Sequence, residues 1–253
     1  MIQVVLIGSG NLATHLSNAV LASDSVVLKQ VYGRSAESLQ IIDNQVDKIT
    51  DLKQLAAADV YIIAISDDHV AAFSESLPLV DKLVVHTSGT VSCKALSERN
   101  RRGVFYPLQS FTKNTSINFS EIPICIEAES NDDLLVLEKL ASALSDEVYF
   151  IDSDQRKKVH LAAVYVNNFV NHLYHIAHEI CARENLPFEL LKPLIRETAR
   201  KIEVMAPSDA QTGPAKRKDL KTINEHLELL SEDQKDLYQL ISNSIQLIHG
   251  KEL

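Results

Sequence analysis

Cysteine is scarce in this 253-residue chain: Cys93, Cys125 and Cys181 stand far apart, are odd in number and form no C-x-x-C pair. That argues against a disulfide framework and points to a reducing, cytoplasmic setting, with each thiol a small core residue rather than a nucleophile. Glycine and proline are few, at seven each, which excludes a collagen-like or Gly/Pro-rich disordered chain, and no internal repeat or low-complexity linker is visible. No basic segment followed by an apolar stretch opens the chain, so no signal peptide is expected. No apolar run is long enough to cross a bilayer, so no membrane partner is expected. Cations are not in surplus either. The net charge is −9, with 11 Lys/Arg against 19 Asp/Glu in residues 1–151 (net −8) and 14 against 15 in residues 152–253 (net −1). This balance argues against nucleic acid as a partner, and it requires that any polyanionic ligand be held by locally placed cations.

A metal is not expected. No H-E-x-x-H pattern occurs, and His172, His175 and His178 recur at a spacing of three. That spacing rotates successive side chains by roughly 60° on a helix, so the three cannot converge on one ion.

What the chain does have is 45% hydrophobic residues and enough length for one large or two smaller domains. Its first apolar run, Ile2 to Ile7, leads straight into Gly8-Ser9-Gly10-Asn11-Leu12-Ala13 and then a helical stretch over about 11–22. A G-x-G-x-x-A turn between a buried strand and a helix is the setting a dinucleotide fingerprint requires. Gly8 permits the tight turn, Gly10 lets backbone approach a pyrophosphate, and Ala13 keeps helix and strand close. The helix N-terminus offers unpaired N–H groups to the phosphates.

Strand signals continue at 26–32, 45–49, 59–65, 83–86, 103–106, 122–127 and 148–151, with helical stretches between most of them, including 131–144. Near-continuous apolar strands such as Val60-Tyr61-Ile62-Ile63 are those covered on both faces. The pattern predicts an α/β fold: a doubly wound, mostly parallel Rossmann sheet followed by an all-helical second domain. From about residue 153 only helical patterns remain, at 154–184, 187–205, 219–230 and 232–248, with an irregular stretch at 206–218. The expected domains are residues 1–152, binding the dinucleotide, and residues 153–253, binding substrate and joining a homodimer.

The second strand ends Tyr32-Gly33-Arg34-Ser35, with no acidic residue to bind a ribose diol. Arg34 can pair with a 2′-phosphate and Ser35 can add a hydroxyl, which predicts NADP(H) as cofactor. Ligands gather beyond the carboxyl ends of the strands, where three loops carry chemistry. Ile65-Ser66 would let the nicotinamide ribose approach. His86-Thr87-Ser88-Gly89-Thr90 offers an imidazole and three hydroxyls. There His86 is either an acid or base, or simply satisfies the turn. In Tyr106-Pro107-Leu108-Gln109-Ser110-Phe111, Tyr106 or Gln109 could reach substrate.

On the long helical pattern, His160, Asn167, Asn171 and His178 lie at offsets 0, 7, 11 and 18, which nearly eclipse on a 3.6-residue helix. This uncharged polar stripe either lines a cleft or buries a helix contact or dimer seam, and the end formed by His160 with Asn167 or Asn168 is the part expected to be functional. Thr212-Gly213-Pro214 leads to three cations, among which Arg217 could bind an anionic substrate in its own subunit or a neighbour's.

These marks together resemble a family spanning nearly the whole chain: Rossmann-like NADP oxidoreductases whose helical C-terminal domain is of unknown function. They are the opening fingerprint, the His86-Thr87-Ser88-Gly89 turn, Tyr106-Pro107-Leu108-Gln109-Ser110-Phe111, His160 with Asn168-Phe169, and Thr212-Gly213-Pro214 leading to Arg217 and Asp219. The layout is more distantly similar to pyrroline-5-carboxylate reductases, 6-phosphogluconate and beta-hydroxyacid dehydrogenases, and deazaflavin-dependent NADP reductases. In those relatives the helices often dimerise and complete the site. Two departures limit the likeness. Aligning the Asn-Asn pair of the beta-hydroxyacid dehydrogenases with Asn167-Asn168 puts Val164 where they carry a catalytic lysine. Tyr106-Pro107 replaces the His-Pro of prephenate-type dehydrogenases.

The resulting expectation is a cytoplasmic oxidoreductase moving hydride between NADP(H) and a small polar carbonyl or imine. Ser88 and Asn168 would position substrate or carboxamide, and His86 or His160 would handle the proton. The alternatives are a non-catalytic NADP-binding sensor or assembly module, and a deazaflavin as hydride acceptor.

Overall fold

The computed structural model of the protein describes residues 1–113 and 115–249. Eight strands form one sheet: β1 (Ile2–Ile7), β2 (Val26–Tyr32), β3 (Asp47–Ile49), β4 (Val60–Ile63), β5 (Leu83–His86), β6 (Arg101–Pro107), β7 (Ile124–Ala128) and β8 (Val148–Phe150). Their order is β3-β2-β1-β4-β5-β6-β7-β8. Every pairing is parallel except β6 with β7. The β6–β7 connection carries a 3₁₀ turn at Phe119–Glu121 among its described residues, and β7 runs antiparallel to β6.

Helices α1 (Asn11–Leu21), α2 (Asp67–Ser76) and α3 (Asn131–Ser142) cover the sheet. Alternation along the strands divides the core in two. Val4, Leu6, Val60 and Ile62 pack with Leu16 of α1 and Leu137 of α3. Val5, Ile7, Tyr61 and Ile63 pack with Val70 of α2 on the other face. Both faces of β1 and β4 are therefore dry, which is why these strands read as unbroken apolar runs.

Beyond β8 come α4 (Ser153–Ala163), a π-helical segment (Val164–Phe169), α5 (Val170–Arg183), α6 (Lys192–Val204), α7 (Pro207–Ala210), α8 (Leu220–Leu229) and α9 (Glu232–His249). Strands thus give way to helices between Phe150 and Ser153. By compactness, however, the first unit runs from Met1 to Asn167 and the second from Asn168 onward. The expected boundary after residue 152 and this division differ by α4 and the first four residues of the π segment, and α4 sinks Arg156 completely into the first unit.

The long helical pattern is not one uniform helix. The six residues of the π segment widen the turn, so offsets counted at 3.6 residues per turn across it no longer define one face, which corrects the stripe inferred from His160 to His178. In the second unit, His226 Nδ1 and Tyr238 Oη lie 2.7 Å apart between α8 and α9. Arg183 donates to Gln234 Oε1 at 3.3 Å. No described helix is long and apolar enough to cross a membrane.

Candidate active site

The turn after β1 is shaped by two glycines with different duties. Gly8 sits at φ +137°, and a Cβ there would lie 2.1 Å from the Ala64 carbonyl oxygen at the end of β4. Only glycine fits this crossing. Gly10 has an ordinary φ of −78°, and a Cβ there would meet nothing within 4 Å, because the space beside it is open. That space belongs to a cleft of about 490 Å³ lined by Gly8, Ser9, Gly10, Asn11, Leu12, Tyr32, Gly33, Arg34, Ala64, Ile65, Ser66, His69, Phe73 and Thr87. No side chain caps α1 and its first turn holds no acid, in contrast to α3 and α4, which Ser130 and Asp152 cap. The N–H groups of the first turn of α1 are therefore free to receive an anion.

Arg34 lines this cleft, is exposed, and has no ion pair or hydrogen bond among the described residues. The cation required in an acidic unit is thus in place. Of the other expected cofactor residues, Ala13 is fully buried behind the turn. Ser35 lies outside the lining, where its hydroxyl accepts from Ser38 N–H at 3.3 Å. Sequence reasoning gave His69 no role and missed Phe73, both of which α2 brings to the cleft lining; the Tyr32 and Phe73 rings are 5.9 Å apart. A larger cavity of about 600 Å³ lies between α1 and a segment that includes Lys113 and residues 115–120. His15 and Lys113 are its titratable lining groups among the described residues, and it shares only Asn11 with the cleft.

The turn after β5 departs from expectation. His86 is completely buried. Its Nδ1 accepts from Ser88 N–H at 3.1 Å, and Nε2 has no hydrogen-bond partner of normal geometry. Burial, reinforced by the positive charge of Arg156, pushes its pKa down to about 4, against a weaker upward pull from the Ser92 backbone. A neutral imidazole sealed from solvent fits the second of the two expected readings, a residue that satisfies the turn, better than an acid or base. Ser88 is also turned inward, its hydroxyl accepting from Thr90 N–H at 3.1 Å and Val91 N–H at 3.0 Å. That hydroxyl holds the turn together. Thr90 in turn donates to Asp67 Oδ2 at 2.7 Å, fastening the turn to the start of α2 beside Ser66.

His160 emerges differently. It is half-buried near the end of α4, and its Nδ1 lies 3.2 Å from the Tyr106 hydroxyl at the end of β6. Both rings crowd Gly89: a Cβ there would lie 2.6 Å from His160 Nδ1 and 2.9 Å from Tyr106 Oη. Burial raises the Tyr106 phenol to about 12, so it stays protonated at neutral pH. His160 Nε2 has no protein partner among the described residues. The histidine, the phenol and Gly89, two residues beyond the cleft-lining Thr87, form a constellation that can donate a proton.

Gln109 is exposed, and its Oε1 accepts from Ser110 N–H at 2.8 Å. Its loop is strapped to α1, where Asn11 Nδ2 donates to Phe111 O and His15 Nε2 to Thr112 O, each at 3.0 Å. Asn168 is exposed on the π segment, and Arg217 is exposed in a turn following Gly213 (φ +103°). Both belong to the second unit.

Residues 122–245 match the family model described as "Domain of unknown function (DUF2520)", a span that opens just before β7 and includes α4 with His160. No curated protein matches the chain. Among solved structures, a "putative NADP oxidoreductase" from Bacteroides fragilis is 40% identical, with a TM-score of 0.86 over 96% of this chain and 97% of that one. A pyrroline-5-carboxylate reductase from Coxiella burnetii is 16% identical, with a TM-score of 0.57 over 99% and 98% of the two chains. A reductive aminase from Aspergillus terreus, in complex with NADPH and ethyl levulinate, is 13% identical with a TM-score of 0.71 over 100% and 96%. The last two share the fold. The chain belongs to the family of the Bacteroides fragilis protein, with its Rossmann-like sheet and helical C-terminal region.

Proposed function

We propose that this protein is an NADP(H)-dependent oxidoreductase that reduces a small polar carbonyl or imine. The observation that carries the reading is the glycine cleft itself: open beside Gly10, headed by the uncapped α1, and edged by the unpaired Arg34. The NADP named for the Bacteroides fragilis relative, and the NADPH named for the reductive aminase, support the same cofactor here. The N–H groups of Asn11 and Leu12 would hold the pyrophosphate, and Arg34 the 2′-phosphate. Ile65, Ser66 and Thr87 border the nicotinamide end.

Bound NADPH supplies the hydride. His160 would give a proton to the substrate's oxygen or nitrogen, and the Tyr106 hydroxyl, 3.2 Å from its Nδ1, would hold the ring in orientation. Gln109 would contact the substrate, and Asn168, on a π segment of the kind that recurs at functional sites, and Arg217 are the second unit's candidates for binding substrate or carboxamide. We also place the working form as a homodimer through the second unit, whose helices leave Leu190, Leu194, Leu229, Leu240 and Leu247 more than 60% exposed.

Calorimetry with NADPH and NADH, followed by NADPH consumption against ketoacids, aldehydes and imines, tests this reading. NADPH should bind at least about tenfold more tightly than NADH, and Arg34→Ala should close most of that gap. Equal affinities in the wild type would remove Arg34 from its role. Tight binding without turnover on every substrate would favour a sensor over an enzyme.

A further inference from the structure

The most expensive side chain in the first unit is not at the surface of the site but beneath it. Arg156 is fully buried on α4. Its Nε donates to the Ser88 carbonyl at 3.1 Å, Nη1 to Glu127 of β7, and Nη2 to the Val91 carbonyl and to Ser153 Oγ. Ser153 Oγ also bonds Glu127 at 2.8 Å and accepts from Cys93 N–H at 3.0 Å. One guanidinium thus ties α4, β7 and both ends of the 88–91 turn together. A well-packed apolar pair of similar volume would hold the fold as well as a buried ion pair, often better. A planar fork with several donors does what an apolar side chain or a lysine cannot: it fixes two carbonyls at set angles.

Those angles bear on the constellation above. All peptides described are trans, so drawing the Ser88 carbonyl toward Arg156 turns the Gly89 N–H the opposite way. That N–H has no partner among the described residues, although Gly89 is buried. Arg156 and His160 are four residues apart on α4 and share a face. The tether that fixes the turn therefore also fixes the height of His160 against Gly89 and Tyr106, where the glycine's missing Cβ is the clearance for both rings.

We propose that Arg156 is the positioning residue of this active site: its clamp on Ser88, Val91 and Glu127 sets the Gly89 turn and the His160–Tyr106 pair in mutual register, and leaves the Gly89 N–H as a donor for the substrate's oxygen or nitrogen. The inference rests on His160 and Tyr106 being the proton-handling pair.

The test uses the full chain with ¹⁵N-labelled histidine, reading the His160 imidazole shifts at one neutral pH, NADPH affinity, and kcat and KM. Arg156→Met/Glu127→Leu removes both charges at similar volume, while Arg156→Lys keeps charge without the fork. In both variants the His160 shifts should move toward those of Tyr106→Phe, and NADPH Kd should stay within about threefold, because the cleft is untouched. With a substrate in hand, kcat should fall at least about tenfold with KM little changed, as expected when reacting groups are displaced without loss of binding. Wild-type His160 shifts in a folded double variant would overturn the proposal. Should that variant not fold, unchanged shifts in Arg156→Lys would do the same. If the wild type turns over no substrate, the functional reading fails, while the imidazole signal still decides whether Arg156 positions the pair.

Discussion

His86 and His160 are both imidazoles at the ends of regular elements, and their fates differ because of what lies around them. His86 is sealed beside a buried cation and is held neutral down to about pH 4. Its ordinary value is 6.5, so between pH 6.5 and 4 the unfolded chain takes up a proton that the folded chain refuses. Stability conferred by this site is complete above pH 6.5 and falls as the pH drops toward 4, by roughly 3 kcal/mol at most. Urea unfolding of the wild type and His86→Gln at pH 7 and pH 4.5 should show a shallower pH dependence in the variant. Parallel curves would mean that His86 titrates normally. The sequence offered His86 as an acid or base, or as a turn residue. Burial decides for the turn, and burial depends on how β5 is flanked by β4 and β6, which no local pattern states.

At the scale of elements, the β1–turn–α1 unit separates fold from function within three residues. Gly8→Ala places a Cβ into the Ala64 carbonyl at a φ that L-residues avoid. It should cost about 2 kcal/mol or more and lower Tm accordingly. Gly10→Ala meets open space at an unstrained φ. Its Tm should match the wild type, yet its methyl group occupies the pyrophosphate's approach, so calorimetry should find NADPH binding lost. Retained binding in Gly10→Ala would place the phosphates elsewhere. This unit was legible in the sequence because strand, turn and helix are contiguous and every requirement is local. The antiparallel β6–β7 pair and the π segment were not. The first is a reversal of direction between two strands whose residues read alike in either direction. The second is a change of pitch within a stretch whose composition reads as ordinary helix.

At the scale of the whole molecule, the second unit is short of buried apolar residues: Cys181, Ala215 and Ile223 are its buried ones among those described. An apolar cavity of about 320 Å³ lies among α5, α9 and the Gly213-Pro214 turn. Helices this exposed gain their stability by burying apolar faces against a partner. Sedimentation should therefore give a mass near twice 28.1 kDa, and Leu194→Glu or Leu247→Glu should shift it toward the monomer. A monomeric wild type would remove any role for a neighbouring subunit at the site.

The linear pattern alone determined the alternation of strand and helix, the glycine turn between β1 and α1, the arginine after β2 and the switch to helices near residue 153. Each of these is written in contiguous residues through side-chain period and backbone freedom. Only the tertiary structure decided that His86 is buried while His160 meets Tyr106, that Ser88 turns inward, and that Arg156 and Glu127 meet beneath Gly89. Those outcomes depend on desolvation and on partners 29 to 68 residues apart. A guanidinium becomes a buried clamp only when packing excludes water and brings such distant carbonyls and carboxylates within reach of it.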